Sequence, residues 1–388
     1  MDQIDEVLHR GVANIISNKE SLKSTLNSGK SLNVYLGIDP TATRIHLGHT
    51  VPLRKIQALA ELGHNVTFLI GDFTSLIGDT SDKDSERPIL TVEQIEENFQ
   101  TYKKQAEKIL DFSKITVKHN REWLSQLKFE DVVKIAQHFS VGDFVGRELV
   151  RKRLEENKRV GLHEFLYPVM QGYDSYFLDT DIQIGGTDQT FNMQAGRTLQ
   201  KDLRDKESYV LTTTLLEGTD GRKMSKSWGN AIWLEDEPSD MYAKVMAIRD
   251  DLIIKYYTLA TDTPMEEIFA IEKDLANNDS PMEIKKKLAE RIVTELHGTD
   301  QASSAGDHFQ RTVQNKEISD EVVDLNISES TIIDENFLLA QKIVASKSEG
   351  KQLIAQGGVT LNGEKVTGLE QGSKNDIIKV GKRRVFKL

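Results

Sequence analysis

Between residues 31 and 216, short runs of β-branched and aliphatic side chains alternate with longer stretches whose apolar positions recur every three or four residues. Residues 33–38, 66–70, 115–118, 182–184 and 209–215 read as strands, and 50–62, 92–110, 131–139 and 188–203 as helices. Such alternation predicts a mainly parallel sheet flanked by helices. From Pro238 to about Val323 the pattern changes to amphipathic helical spacing alone, clearest over 283–296. A stretch rich in Ser, Thr and acids follows and reads as a linker, and the remaining tail alternates helical spacing with short Gly-bounded strands.

The expected architecture is therefore α/β: a Rossmann-like parallel-sheet domain with an N-terminal helical segment (1–236), a helical domain (237–325), a linker (326–335) and a small α+β tail (336–388). The 388 residues, 38% of them hydrophobic, are enough for two or three domains. No apolar run approaches the roughly 20 residues needed to span a bilayer, and the acidic start Met1 to Glu6 is unlike a signal peptide. A cytoplasmic protein without a membrane partner is expected. The absence of cysteine excludes disulfides, thiolate metal sites and cysteine nucleophiles.

Charge adds one local feature. A net charge of -11 argues against indiscriminate nucleic-acid binding, yet between Gln341 and Leu388 there are 10 basic residues against 4 acidic ones. That asymmetry points to a confined contact with a polyanion.

Candidate chemistry gathers at two places. The first strand runs into Gly37-Ile38-Asp39-Pro40-Thr41 and then His46-Leu47-Gly48-His49, with Pro52 expected in the first turn of the next helix. Two imidazoles at a strand-to-helix turn stand where free backbone N–H groups and the helix dipole favour phosphate oxygens, and Gly48 lets a nucleotide approach the backbone. Polar surface would also explain an isolated pair of histidines, and zinc lacks a third ligand nearby. The second place is Lys223-Met224-Ser225-Lys226-Ser227, just past the last strand, whose two lysines among hydroxyls suit a departing pyrophosphate. A lone loop of this kind is usually solvated surface; its pairing with the histidines weighs against that.

Together these stretches resemble the signatures of the class I aminoacyl-tRNA synthetases, the second letter for letter, the first with Leu47 in place of Ile. The tyrosyl branch is resembled specifically at Tyr167-Pro168-Val169-Met170-Gln171-Gly172-Tyr173-Asp174, where positions 167, 171 and 174 share a helical face. The resemblance implies that Tyr167 and Gln171 hold the amino group of tyrosine, with Asp79 as its salt-bridge partner, and that Asp174 and Tyr35 meet the phenol. It implies that Gln189 lies near the tyrosine carboxylate and Asp188 near the ATP ribose. Gly37, Asp39, His46, Gly48, His49, Gly186, Asp188 and Lys223 to Ser227 (Met224, Ser225 and Lys226 between them) would bind ATP. Thr41, His46, His49, Lys223 and Lys226, with Lys83 and Arg87 among acidic neighbours, would assist the chemistry.

The implied reaction is activation of tyrosine with ATP, with Mg2+ on the phosphates and no protein-bound metal, then transfer to tRNA(Tyr). No protein nucleophile is required. The tail resembles a small ribosomal RNA-binding domain, which implies a tRNA contact through Lys342, Lys347 and Lys351, and relatives of this kind are homodimers. Leu36 and Trp228 depart from or vary within the pattern, and Trp228 receives no role. A tryptophanyl enzyme, a small-molecule nucleotidyltransferase and a non-catalytic RNA-binding paralogue remain the alternatives; Tyr35 and Asp174 weigh against the first, the tail against the second, and the intact histidines and lysines against the third.

Overall fold

A computed structural model describes residues 2–41, 43–79, 91–225, 228–277, 280–314, 322–325, 327, 330–344, 346–381 and 384–388. The chain divides into two compact units, Met1–Ser303 and Ser304–Leu388.

The first unit is built on a six-stranded sheet. Its strands are β1 (Val12–Ile16), β2 (Asn33–Ile38), β3 (Asn65–Ile70), β4 (Ile115–His119), β5 (Ile182–Gly186) and β6 (Tyr209–Thr213), in the order β1-β6-β5-β2-β3-β4. All neighbours are parallel except β1, which runs antiparallel to β6. The interior strands are largely buried on both faces, so apolar residues run on in them without strict alternation, as in Val34-Tyr35-Leu36 and Tyr209-Val210-Leu211.

β1 was not expected: the N-terminal segment reads as helical, and the run Val-Ala-Asn-Ile-Ile is short. In the fold it lies between the helices Gln3–His9 and Lys19–Leu26 and covers the open edge of β6. β-branched side chains and an unpaired edge together favour pairing there.

Strand order reverses between β2 and β5, the place where an open α/β sheet leaves a crevice beyond the carboxyl ends of its strands. Three helices start or pass there: Leu47–Glu61 after β2, Leu162–Phe177 before β5, and Thr190–Arg204 after it. Because the first begins at Leu47, Pro52 falls in its second turn rather than its first. Proline there removes the N–H that would bond the Gly48 carbonyl.

The helices Pro238–Met246, Ile253–Ala260, Met265–Ala276 and Pro281–His297 were expected as a separate domain but belong to the same compact unit as the sheet. Arg54, on the helix after β2, donates to the Ala260 carbonyl at 2.9 Å and to Glu295 at 2.7 Å, tying the two parts together. Among the described residues no helix is long and apolar enough to cross a membrane.

The second unit holds β7 (Val322–Asp324), β8 (Thr331–Ile332), β9 (Val359–Leu361), β10 (Glu364–Lys365), β11 (Gln371–Gly372), β12 (Ile377–Val380) and β13 (Arg384–Lys387). Five form a sheet in the order β10-β9-β12-β13-β7, and β8 pairs with β11. The helices Glu335–Ala340 and Lys347–Ala355 begin at side-chain caps, Asp334 and Ser346, and pack on a core that includes Ile333, Leu338, Val359 and Ile378. The segment read as a linker thus supplies β8 and the fully buried Ile333.

One buried ion pair ties the helix Glu148–Glu155 to the start of the helix Leu162–Phe177. Arg153 donates to both oxygens of Glu164 at 2.7 and 3.0 Å, and the Gly161 N–H donates to the same carboxylate at 2.7 Å. Replacing Arg153 with Met strands the glutamate. We expect a loss of about 3–5 kcal/mol in urea denaturation, most of it recovered by the double change Arg153→Met with Glu164→Leu.

Candidate active site

Two adjoining cavities open at the strand-order reversal. The smaller, about 270 Å³, is lined by Tyr35, Asp79, Tyr167, Gln171, Asp174 and Gln189. The larger, about 820 Å³, is lined by His46, Gly48, Gly186, Lys223, Met224 and Ser225. Gly37, His49, Asp188 and Gln189 border both.

At the floor of the smaller cavity Asp174 is 2% exposed. Its Oδ1 accepts from the Trp123 indole N–H at 2.7 Å and its Oδ2 from the Asn120 amide at 3.0 Å. Burial raises its pKa to about 8 against the pull of these two donors, and Asp39 and Asp72 add to the rise. Beside it the buried Tyr35 hydroxyl donates to Gln183 Oε1 at 3.2 Å; burial and then Asp174 push its pKa up, and a hydrogen bond with Gln171 opposes them. The face predicted for 167, 171 and 174 is realised: the spacing turns all three toward one cavity.

Higher on the wall the Tyr167 hydroxyl donates to Asp39 Oδ2 at 3.0 Å, and Thr74 donates to Asp39 Oδ1 at 2.8 Å. Gly71 permits this arrangement, since a Cβ there would lie 2.1 Å from Asp39 Oδ1. Gln189 donates to Asp79 Oδ2 at 2.7 Å and accepts from Asn192 at 3.0 Å. Thr41 lines the same cavity.

In the larger cavity the rings of His46 and His49 stack with centroids 3.7 Å apart, and the His46 N–H donates to His49 Nδ1 at 3.2 Å. Burial, then His49 and Lys223, hold the His46 pKa down to about 2; burial and Lys223 hold that of His49 down to about 4. His49 keeps part of its surface on the crevice while its ring packs against that of His46. Both imidazoles are therefore neutral near pH 7, hydrogen-bonding groups rather than cations. A Cβ on Gly48 would stand 3.0 Å from His46 Nδ1, so a larger residue there would press on the ring beside it.

The loop bearing Lys223 and the histidine turn are coupled through backbone. Leu47 N–H donates to the Ile232 carbonyl and Leu234 N–H to that of Ile45, both at 2.9 Å, and His46 pairs with Trp233. Arg44 lies over Trp233 at 4.5 Å and pairs with Asp236 at 3.3 Å.

Of the residues predicted from sequence, Lys83, Arg87, Lys226 and Ser227 lie outside the described residues. Lys342, Lys347 and Lys351 are exposed in the second unit. Lys347 and Lys351 stand one turn apart on one helix, and Lys351 lies 3.6 Å from Glu335. Thr74, Asn120, Trp123 and Gln183 were not identified from sequence. Thr74 follows β3, Asn120 and Trp123 follow β4 and Gln183 lies within β5, and the one available signal was that a buried carboxylate at 174 needs donors.

The raised pKa of Asp174 has a consequence for stability. Its folded value lies above the unfolded one, so the folded state holds the extra proton between about pH 4 and pH 8 and stability falls as pH rises through that window. Asp174→Asn removes this loss. Its melting temperature relative to the parent should increase from pH 5 to pH 8, as calorimetry of the ligand-free proteins can check.

Residues 27–314 match the family model described as tRNA synthetases class I (W and Y), and residues 335–369 match the S4 domain. The tyrosine–tRNA ligase of Thermotoga maritima is 41% identical over 389 residues, covering 99% of this chain and 96% of that one. That of Carboxydothermus hydrogenoformans is 42% identical, covering 99% and 97%. Among solved structures, the Archaeoglobus fulgidus tyrosyl-tRNA synthetase complexed with L-tyrosine aligns with a TM-score of 0.62 at 21% identity, over 79% of this chain and all of that one. A C-terminally truncated mitochondrial tyrosyl-tRNA synthetase of Aspergillus nidulans gives 0.67 at 24%, over 79% and 93%. The parallel sheet, the paired cavities and these full-length relatives agree: the chain belongs to the tyrosine–tRNA ligases, within the class I tRNA synthetase family.

Proposed function

We propose that the smaller cavity takes tyrosine and the larger one ATP, and that the chain joins them as tyrosyl-adenylate before passing the tyrosyl group to tRNA(Tyr). The observation that carries this reading is the shared border: a cavity floored by a phenol and a buried carboxyl opens directly onto one bearing His46, His49 and Lys223.

In the first step a carboxylate oxygen of tyrosine bonds to the α-phosphorus of ATP while the bond to the bridging oxygen breaks and pyrophosphate leaves. Holding the reactants in line and meeting the charge that grows on the leaving group supply the rate. Lys223 gives positive charge, and the neutral His46 and His49 give hydrogen bonds; Lys226, Lys83 and Arg87 are proposed to add to this, and Thr41 to border the reacting carboxylate. Asp188 is assigned to the ribose, with Gly37, Asp39, Gly48, Gly186, Met224, Ser225 and Ser227 around the nucleotide. Tyr167, Gln171 and Asp79 are assigned to the amino group of tyrosine and Gln189 to its carboxylate. In the second step a terminal ribose hydroxyl attacks the adenylate carbonyl and AMP departs.

Among the described residues no group of three His, Cys, Asp or Glu side chains stands ready to hold a metal ion. Mg2+ is assigned to the phosphates of ATP, whose charge it would neutralise.

Asp174 and Tyr35 are assigned to the tyrosine hydroxyl. Phenylalanine would displace water from both without offering a hydroxyl in its place, which a buried site punishes strongly; discrimination of about 10⁵ is a reference value for tyrosyl-tRNA synthetase itself, not one obtained from this site. Lys342, Lys347 and Lys351 are assigned to tRNA, and the reaction to the cytoplasm.

A homodimer is proposed on the apolar side chains left open in the first unit: Phe129 is 84% exposed, Leu162 79% and Val141 73%, with Val133 and Leu154 also exposed. Phe129→Glu should shift sedimentation toward the monomer; an unchanged monomeric parent would remove the dimer.

The deciding assay is exchange of labelled pyrophosphate into ATP with each standard amino acid. Exchange with tyrosine alone is expected; exchange with tryptophan would overturn the assignment. Asp174→Ala should lower kcat/KM for tyrosine by at least about 10²-fold, and His46→Ala or His49→Ala should lower kcat by about 10²–10³-fold with tyrosine binding retained.

A further inference from the structure

Trp228 plays no part in the chemistry assigned above, yet it lines the larger cavity beside Lys223, Met224 and Ser225. A tryptophan with half of its surface exposed forgoes much of the burial such a side chain normally gains.

Its position is fixed by a chain of contacts. The Arg222 guanidinium lies over the indole at 4.7 Å and donates from Nε and Nη2 to Asp220 Oδ2 at 2.8 and 2.5 Å. Asp220 Oδ1 accepts from the Arg222 N–H at 3.0 Å and from the Asn230 amide at 2.7 Å. Buried Asn230 in turn accepts from the Ser225 N–H at 2.9 Å and donates to the Lys223 carbonyl at 3.2 Å. Gly229, at φ +67°, separates Trp228 at the crevice from Asn230 in the interior. The bonds from Asn230 and Arg222 hold the Asp220 pKa down to about 2, so it stays ionised across the neutral range.

An indole backed by a cation and bordering a cavity is a platform for a flat aromatic ring. Gly48, Pro52, Leu215 and Leu216 supply small or apolar surface to the same cavity, with the positive charge of Lys223 near its histidines. We propose that Trp228, backed by Arg222, is the stacking wall for the adenine ring of the nucleotide. This rests on the reading that the larger cavity takes ATP.

The test uses the full-length chain. ATP is titrated while tryptophan emission is followed in the parent and in Trp228→Phe, and exchange kinetics are measured for Trp228→Ala, Trp228→Phe and Arg222→Ala. Base stacking of this kind corresponds to roughly a 5- to 100-fold change in affinity. Trp228→Ala should raise the KM for ATP by that much and leave the KM for tyrosine within about twofold. Trp228→Phe should restore most of the loss, Arg222→Ala should fall between, and the ATP-dependent change in emission should be smaller in Trp228→Phe than in the parent, Trp233 of the same cavity supplying the remainder. Unchanged KM for ATP, a parallel rise in both KM values, or a Phe variant as impaired as Ala overturns the platform. If the parent binds ATP and its emission is indifferent, the platform alone falls; if the parent binds no ATP, the nucleotide reading falls and takes this inference with it.

Discussion

Asp174 lies under the carboxyl edge of the sheet, out of reach of solvent, and a carboxyl group in that position is tolerated only if donors are brought to it. They come from separate parts of the chain. Trp123 and Asn120 follow β4, and Asn120 also donates to Thr74, which follows β3 and itself donates to Asp39 at the end of β2. The register of three parallel strands is thus read out at a single side chain. A slip of one residue in β3 or β4 would turn these partners away and leave the carboxyl bare.

The two cavities meet at the strand-order reversal, where Gly37, His49, Asp188 and Gln189 border both. One cavity is floored by a carboxyl that burial pushes up, and the imidazoles bordering the other are pushed down. The other carries Lys223 on a loop joined by backbone to the histidine turn through Ile232 and Leu234. The arrangement suits a reaction driven by placement and charge, in keeping with a chain that has no cysteine.

Much of this was legible in the sequence. β2 was bounded correctly at both ends, and the spacing of Tyr167, Gln171 and Asp174 on one helix put them at one cavity. Local pattern carries such information because strand and helix periods fix which side chains share a face. The pairing of β1 with β6 and the donors to Asp174 were not legible, since each is a contact between distant segments and leaves no periodic trace. The helical segment after Pro238 looked independent for the same reason: what joins it to the sheet is a long-range bond such as Arg54 to Glu295, 241 positions apart. Trp123 was overlooked because it sits in a four-residue helix, too short for any period to show.

Selection of the phenolic hydroxyl by a buried carboxyl and its fixed donors is the claim on which the substrate assignment turns. Calorimetric titration of the ligand-free protein with tyrosine and with phenylalanine tests it without any chemistry. Tyrosine should bind and phenylalanine should bind at least about 10³-fold more weakly, because it strands the polar floor. Equal affinity for the two amino acids would contradict it.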